Sequence, residues 1–397
     1  MDLESSYIQA ISSKDKVTIY DISFNHYGKR MAVCSSDQLI TVWDQVNDSK
    51  EWKKTAEWKP HEFSPLKITW VHPEFGHALA TCSVDRYVAI WEEIQDDNNS
   101  KIEQVWVQRA SLLGSTTFIT DIKFAPKTVG LLLAICSSDG FIRIFKSLDI
   151  LDLSRWSLQQ EVCYRHRVSC IAWNPNGVNN GYSCKYFKID NVHSSDRLRK
   201  DAGSLYSLYP SVINEPNAYI VLSQDPMLVV GFDNEDCQTE DKIKILLYAS
   251  RYQRWNKTEF SIKDKYLSEI TDPIRDLAFS VRLGRTYDLL AVATKDIKIY
   301  ALYQLFNQSH LSFRFQICLI NSFQCHNSSI LRINWNPLGN ILISSGDDGY
   351  VKVWKQYQVL SEKKEEKPLR QKTSFQMKNL QYCWKSVRII KISGLQS

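Results

Sequence analysis

Apolar and polar residues alternate along most of this chain in short runs bounded by turn-forming residues, the period-2 pattern of half-buried strands. The stretch "LATCSVDRYVAIWEE" (79–93) writes two such strands around a turn and closes on a tryptophan followed by acids. Near-copies stand at "MAVCSSDQLITVWDQ" (31–45), "LAICSSDGFIRIFKS" (133–147) and "LISSGDDGYVKVWKQ" (342–356). The predicted elements are therefore strands, and they repeat.

Each phrase follows a strand that ends on an aromatic residue: Phe24, Trp70, Phe124, Trp173, Phe279 and Trp335. The closing positions are Trp43, Trp91, Phe145, Leu246, Tyr300 and Trp354. Five of these pairs are 19 or 21 residues apart, and the fourth pair is 73 apart. A further aromatic, at Trp52, Trp106, Trp156, Trp255 and Trp384, with Phe313 or Phe315 in the fifth repeat, predicts one more strand per unit. Six four-stranded antiparallel units with W-D-type endings predict an all-β fold, a six-bladed β-propeller of the WD40 kind. In the second unit the strands are "LKITW", "HALATCS", "YVAIW" and "QVWVQRASLL"; in the fourth, "MLVVGFD" and "DKIKILLY" supply the second and third. Residues 1–397 read as one propeller domain. A polar insertion at 176–225 interrupts blade 4, and a charged one at 356–378 precedes the last strand. Both read as surface loops.

Candidate chemistry repeats with the strands. Asp37, Asp85, Asp139 and Asp348 each lie six residues before a closing aromatic, and His61, His166 and His326 precede the first strand of their units. A single such pair would suggest acid–base work. Repeated along the chain with Trp43, Trp91 and Trp354, the pairs read as scaffolding, with each aspartate bonding turn amides and each histidine buried against it. The tryptophan stripe reads likewise as strand core. No G-x-S-x-G, H-E-x-x-H or P-loop motif appears, and His72 and His77 are poorly spaced for joint metal ligation, so no catalytic residue, metal or cofactor is expected.

The totals change this picture little. Over 397 residues, 44% hydrophobic and 23% charged is the balance of a chain that buries a large core. A net charge of +5 gives no footprint for direct nucleic-acid binding. No secretory signal or membrane span is expected, and the N-x-S/T sites at Asn47, Asn98, Asn256, Asn307 and Asn327 are expected to stay unglycosylated. Ten cysteines without a C-x-x-C pair read as free thiols, with Cys34, Cys82 and Cys136 at one position of successive units.

At "HPEFGHALATCSVDRYVAIWEE", "KFAPKTVGLLLAICSSDG" and "ISSGDDGYVKVWK" the text becomes specific. It resembles the Sec-thirteen-homologue nucleoporins, WD40 propellers of the Y-shaped nuclear pore scaffold. "YGKRMAVCSSDQLITVWD", "LSRWSLQQEV" and "RLGRTYDLLAVATKDIKIYAL" extend the resemblance from about residue 17 to 355, and it resumes at "WKSVRIIK". The resemblance implies a non-enzymatic scaffold subunit: an open six-bladed propeller completed by a blade from an α-solenoid nucleoporin of the Nup eighty-five kind. It also implies other Y-complex partners, membership of the SEA/GATOR complex that regulates nutrient signalling to TOR, and residence at the nuclear envelope and at the vacuolar or lysosomal surface.

The chain offers its own argument for an open propeller. "SSYIQAIS" (5–12) precedes the first inner strand where, in later units, an outer strand stands. Tyr7, Ile8, Gln9, Ala10 and Ile11 therefore read as an outer strand whose other three strands come from a partner. A vesicle-coat subunit of the Sec-thirteen type and a closed WD40 adaptor of a ubiquitin ligase are the rival readings.

Overall fold

Alternating β-branched and aromatic residues commit each segment to a strand, and the aspartate turns close the hairpins. The structure, a computed structural model, describes residues 17–46, 51–96, 103–113, 115–177, 185–188, 218–222, 225–233, 242–249, 252–258, 270, 272–283, 285, 287–307, 312–324, 326–360 and 380–391. Twenty-six strands run through them, with one short 3-10 turn at Pro73–Phe75.

Sheet 1 consists of β1 (Ile19–Phe24), β2 (Arg30–Ser35), β3 (Ile40–Gln45) and β4 (Trp52–Trp58), in that order from inner to outer edge. Sheet 2 repeats it with β5 (Pro65–Trp70), β6 (Ala78–Ser83), β7 (Tyr87–Asp96) and β8 (Glu103–Leu113). Sheet 3 uses β9 (Ile119–Phe124), β10 (Leu132–Ser137), β11 (Phe141–Ser147) and β12 (Trp156–Cys163). In sheet 4, β13 (Val168–Trp173) pairs with β16 (Met227–Phe232), then β17 (Ile243–Ala249) and β18 (Arg254–Thr258). Between β13 and β16 the chain forms β14 (Lys185–Lys188) and β15 (Ala218–Leu222). Sheet 5 has β19 (Asp276–Phe279), β20 (Asp288–Ala293), β21 (Ile297–Asn307) and β22 (Ser312–Phe323). Sheet 6 has β23 (Ile330–Trp335), β24 (Ile341–Gly346), β25 (Tyr350–Leu360) and β26 (Leu380–Lys391). These are the six blades of a β-propeller.

Two expectations need correction. The 176–225 insertion is more than a surface loop: β15 pairs with Gln304–Asn307 of β21, and β14 pairs with β15, so sheet 5 has six strands. The charged insertion begins later than residue 356, because β25 continues to Leu360 and pairs there with Leu380.

Contacts divide the chain into two compact units, residues 1–173 with 230–234, and residues 174–229 with 235–397. In the first unit, one face of each sheet packs on the opposite face of the next. Ala32, Cys34 and Val42 of sheet 1 pack with Ile68, Leu79 and Ala89 of sheet 2. Ala80, Cys82 and Ile90 of sheet 2 pack in the same way with Ile119, Ile122 and Leu133 of sheet 3. In the second unit Ala291, Ile299 and Ala301 of sheet 5 meet Ile330, Ile333 and Leu342 of sheet 6. The donating face carries small residues, and the receiving face carries the aliphatic residue two places before the strand-ending aromatic.

Polar clamps reinforce the stacking. Arg30 spans sheets 1 and 2, bonding Asp44 at 2.7 Å and Glu93 at 2.7 Å while lying 5.6 Å from the centre of the Trp70 ring. In the second unit the Asp288 carboxylate accepts from Asn174, Asn176 and Arg282, each within 2.9 Å. The predicted aromatic stripe forms edge-to-face or tilted pairs: Phe24–Trp52, Trp70–Trp106, Phe124–Trp156 and Trp335–Trp384. Trp58, which falls outside the repeat, stacks on Trp106 at 5.1 Å.

Candidate functional site

The residues with most chemistry form hydrogen-bonded chains beside the hairpin turns. In sheet 2, His61 Nδ1 lies 2.8 Å from Asp85 Oδ2, His61 Nε2 lies 2.9 Å from Thr81 Oγ1, and Trp91 Nε1 donates to the same oxygen at 3.2 Å. Sheet 6 repeats the arrangement with His326, Asp348, Ser344 and Trp354 at 2.9–3.0 Å. The order Asp–His–hydroxyl is that of a hydrolase triad. Its accessibility is not. Thr81 and Ser344 are fully buried, and each hydroxyl is committed to donating to histidine while accepting the indole N–H. Both hydroxyls are shut off from solvent, so no substrate can approach them.

Electrostatics agree with a resting, neutral ring. Burial pushes the His61 pKa below its ordinary value, against the pull of Asp85. Each aspartate also holds its turn: Asp85 Oδ1 accepts the Tyr87 amide at 3.2 Å, and Asp348 Oδ1, which His326 also meets, accepts the Tyr350 amide at 3.1 Å. Asp37 accepts the Leu39 amide, and Asp139 the Phe141 amide. Burial opposes charge on Asp139, but hydrogen bonds from Ser137, Phe141, Ser115 and Thr116 outweigh it and hold the carboxyl below its ordinary value.

The histidine partner is not uniform. In sheet 3 its place is taken by Ser115 and Thr116, both bonding Asp139. His166, expected to serve the fourth unit, is half-buried, and its neighbour Arg167 lies 3.6 Å from Asp233. In sheet 1, Trp43 Nε1 turns to Thr41 at 3.1 Å. The residue after each turn aspartate has positive φ: Gln38 69°, Arg86 72°, Gly140 83° and Gly349 72°. A Cβ at Gly140 would lie 2.4 Å from the Tyr164 carbonyl, so that turn requires glycine.

The second feature is two uncovered sheet faces. The aliphatic residue two places before the strand-ending aromatic is Ile68, Ile122, Ile171, Leu277 or Ile333 in sheets 2 to 6, and each is at most 5% exposed. In sheet 1 the same position is Ile22, 46% exposed, with Phe24 beside it at 52%. On the opposite face the repeat places Ala32, Ala80, Ala134 and Ala291 in sheets 1, 2, 3 and 5, all fully buried. Sheet 6 has Ile343 there, 41% exposed, flanked by exposed Arg332 and Asn334. One face of sheet 1 and one face of sheet 6 are thus built like internal interfaces and have no neighbouring sheet among the described residues. The open-propeller reading anticipated uncovered flanks on the first and last units; which residues line them was not legible, because Ile22 and Ile68 are the same residue type in the same pattern.

Tyr7, Ile8, Gln9, Ala10 and Ile11 lie outside the described residues. Cys34, Cys82 and Cys136 are buried free thiols, and Cys170 and Cys318 are buried as well. Burial raises the Cys34 thiol to about 12. No group of three metal-ligating side chains occurs among the described residues, and no helix there is long and apolar enough to cross a membrane.

Four-stranded sheets stacked face to face, with Trp–Ser/Thr–His–Asp chains at their turns, define a WD40-type propeller. The sequence profile of the WD domain, G-beta repeat, matches residues 7–44 and 317–355. A chain in the crystal structure of the mitotic checkpoint complex shares the fold, with a TM-score of 0.52 at 13% identity over 86% of this chain and 76% of that one. Within that class the sequence is more specific. It is 39% identical to nucleoporin SEH1 of Bos taurus over 352 residues, 87% of this chain and 84% of the relative. It is 38% identical to the proteins of that name from Homo sapiens and Danio rerio, over 87% of this chain and 84% and 83% of theirs. The chain belongs to the nucleoporin SEH1 family. It is a structural, non-enzymatic propeller.

Proposed function

We propose that this chain is a scaffold subunit of the nuclear pore and that its uncovered faces are closed in trans by strands of an α-solenoid nucleoporin of the Nup eighty-five kind. The observation that carries this reading is Ile22, 46% exposed at a position that is at most 5% exposed in every later sheet. Exposed aliphatic faces of this kind mark interaction surfaces. Tyr7 to Ile11 serve as the outer strand of the added sheet. In support, the repeat profile begins at residue 7 in one match and at Ile317, inside β22, in the other. This supports reading residue 7 as part of an outer strand.

The same subunit is proposed to serve the SEA/GATOR complex at the vacuolar or lysosomal surface, in nutrient signalling to TOR. Co-purification of two separable assemblies, one pore-bound and one not, is the result expected. For the pore role, the fluorescently tagged protein should mark the nuclear rim and bring down a solenoid nucleoporin. Ile8→Pro or Ala10→Pro should lower that recovery about tenfold, the equivalent of one ladder interaction of about 1.4 kcal/mol. Diffuse localisation, with a stable monomeric chain and unchanged recovery in the proline variants, would overturn the reading.

A further inference from the structure

The inner strands alternate in kind. Sheets 1, 3 and 5 carry an aspartate three residues before a phenylalanine: Asp21 and Phe24, Asp121 and Phe124, Asp276 and Phe279. Sheets 2, 4 and 6 end the strand on tryptophan and place Lys67, Cys170 or Arg332 where the aspartate would be.

The alternation has a structural cause. Asp121 Oδ1 accepts the amide of Ile122 in its own strand at 3.0 Å, and its Oδ2 accepts the amide of Ile171 in β13 at 3.1 Å. Asp276 does the same for Leu277 at 2.9 Å and Ile333 at 3.0 Å. Asp21 Oδ2 accepts the Ile68 amide at 3.2 Å. In return, Trp70, Trp173 and Trp335 donate their indole N–H to the carbonyls of Ser23, Lys123 and Ala278, at 2.9, 3.0 and 3.0 Å. One carboxylate therefore caps two inner strands. An aspartate-type sheet satisfies its own inward-facing amide, and a tryptophan-type sheet depends on the sheet before it.

Sheet 6 is of the tryptophan type, and its uncovered face presents exposed Arg332 in place of a carboxylate. The internal counterpart is sheet 2, which carries Lys67 and is followed by aspartate-type sheet 3. A tryptophan-type sheet laid on sheet 6 would bury an amide with no acceptor, which proteins avoid. We infer that the free face of sheet 6 takes a partner sheet of the aspartate type: its inner strand carries an acidic residue directly before the aliphatic residue that packs on Ile343 and Val353, so that it caps its own amide without a carboxylate from sheet 6. This rests on the proposal that a partner covers sheet 6, and adds which chemistry the partner must bring.

The chain's own sheets are the probes. A second copy of residues 114–164, aspartate type, or of residues 60–113, tryptophan type, is fused after Lys391, so that it follows β26 as β9 follows β8. The aspartate-type copy should raise Tm by about 5 °C or more and remove binding of a hydrophobic dye, whereas the tryptophan-type copy should move Tm by less than about 2 °C. Asp121→Ala in the copy alone should cancel the gain. Equal gains from both copies, or a gain that survives the alanine change, would overturn the inference and leave trans-completion standing. No gain in Tm and no loss of dye binding with either copy would overturn trans-completion itself.

Discussion

At the scale of single residues, stability depends on a few carboxylates and rings that serve two elements at once. Asp121 is 2% exposed and caps two buried amides. Asp121→Ala leaves both unpaired, at about 1–3 kcal/mol each, so a loss of about 2–6 kcal/mol is expected in denaturant unfolding. Asp121→Asn keeps one acceptor and should fall between; an alanine variant within 0.5 kcal/mol (roughly the scatter of surface changes) would show the caps to be dispensable. His61 governs an acid response. Its pKa is lowered in the fold, so the unfolded chain binds the proton more readily, and stability is full above the ordinary value of 6.5 and lost as pH falls through it. Thermal melts should therefore be flat from about pH 8 to 7 and decline towards pH 5, with a shallower decline in His61→Gln. Parallel declines would mean that His61 is not the group titrating.

At the scale of elements, the strands and blade count were legible because period-2 alternation and the aspartate turns are local signals, and they repeat. The hairpin inside the insertion was not. "KYFK" and "AYIVL" are short runs in polar text, and β15 finds its partner in Gln304–Asn307, far along the chain. The aspartate–tryptophan alternation was fully written in the inner strands but emerges only when the residue three places before each aromatic is compared across units. Its meaning needed the distances. The pairing also refines what the insertion contributes. β20 and β22 flank Ile297–Leu302 of β21, whereas β15 pairs only with Gln304–Asn307. Deleting residues 178–218 should thus leave Tm within about ten degrees of the intact chain, since closing a shorter loop changes entropy little. Amide exchange should quicken within Gln304–Asn307 and stay slow within Ile297–Leu302. Uniformly faster exchange through β21 would mean that the hairpin supports the whole sheet.

At the scale of the molecule, the same isoleucine has opposite consequences according to whether a neighbouring sheet is present. Ile68 is 4% exposed and packs on Ala32, Cys34 and Val42; Ile22 occupies its position in sheet 1 and is 46% exposed. Ile68→Glu would bury a carboxylate among apolar groups, and a loss of more than about 4 kcal/mol is expected, enough to unfold many domains. Ile22→Glu should change the stability of the isolated chain by less than about 0.5 kcal/mol, because its side chain already meets water. The complex is where Ile22→Glu acts. A partner sheet seated on this face would have to desolvate the new carboxylate, and a loss of about 2–3 kcal/mol of binding, or thirtyfold to more than a hundredfold in Kd, follows. Ile343→Glu should behave alike on sheet 6, where the equivalent alanines are fully buried. Unfolding curves of the two isolated variants, set beside their affinities for the proposed solenoid partner, separate the two effects. Variants that bind like the parent would show these faces to be bare surface, and destabilised isolated variants would show them to be covered by the chain itself.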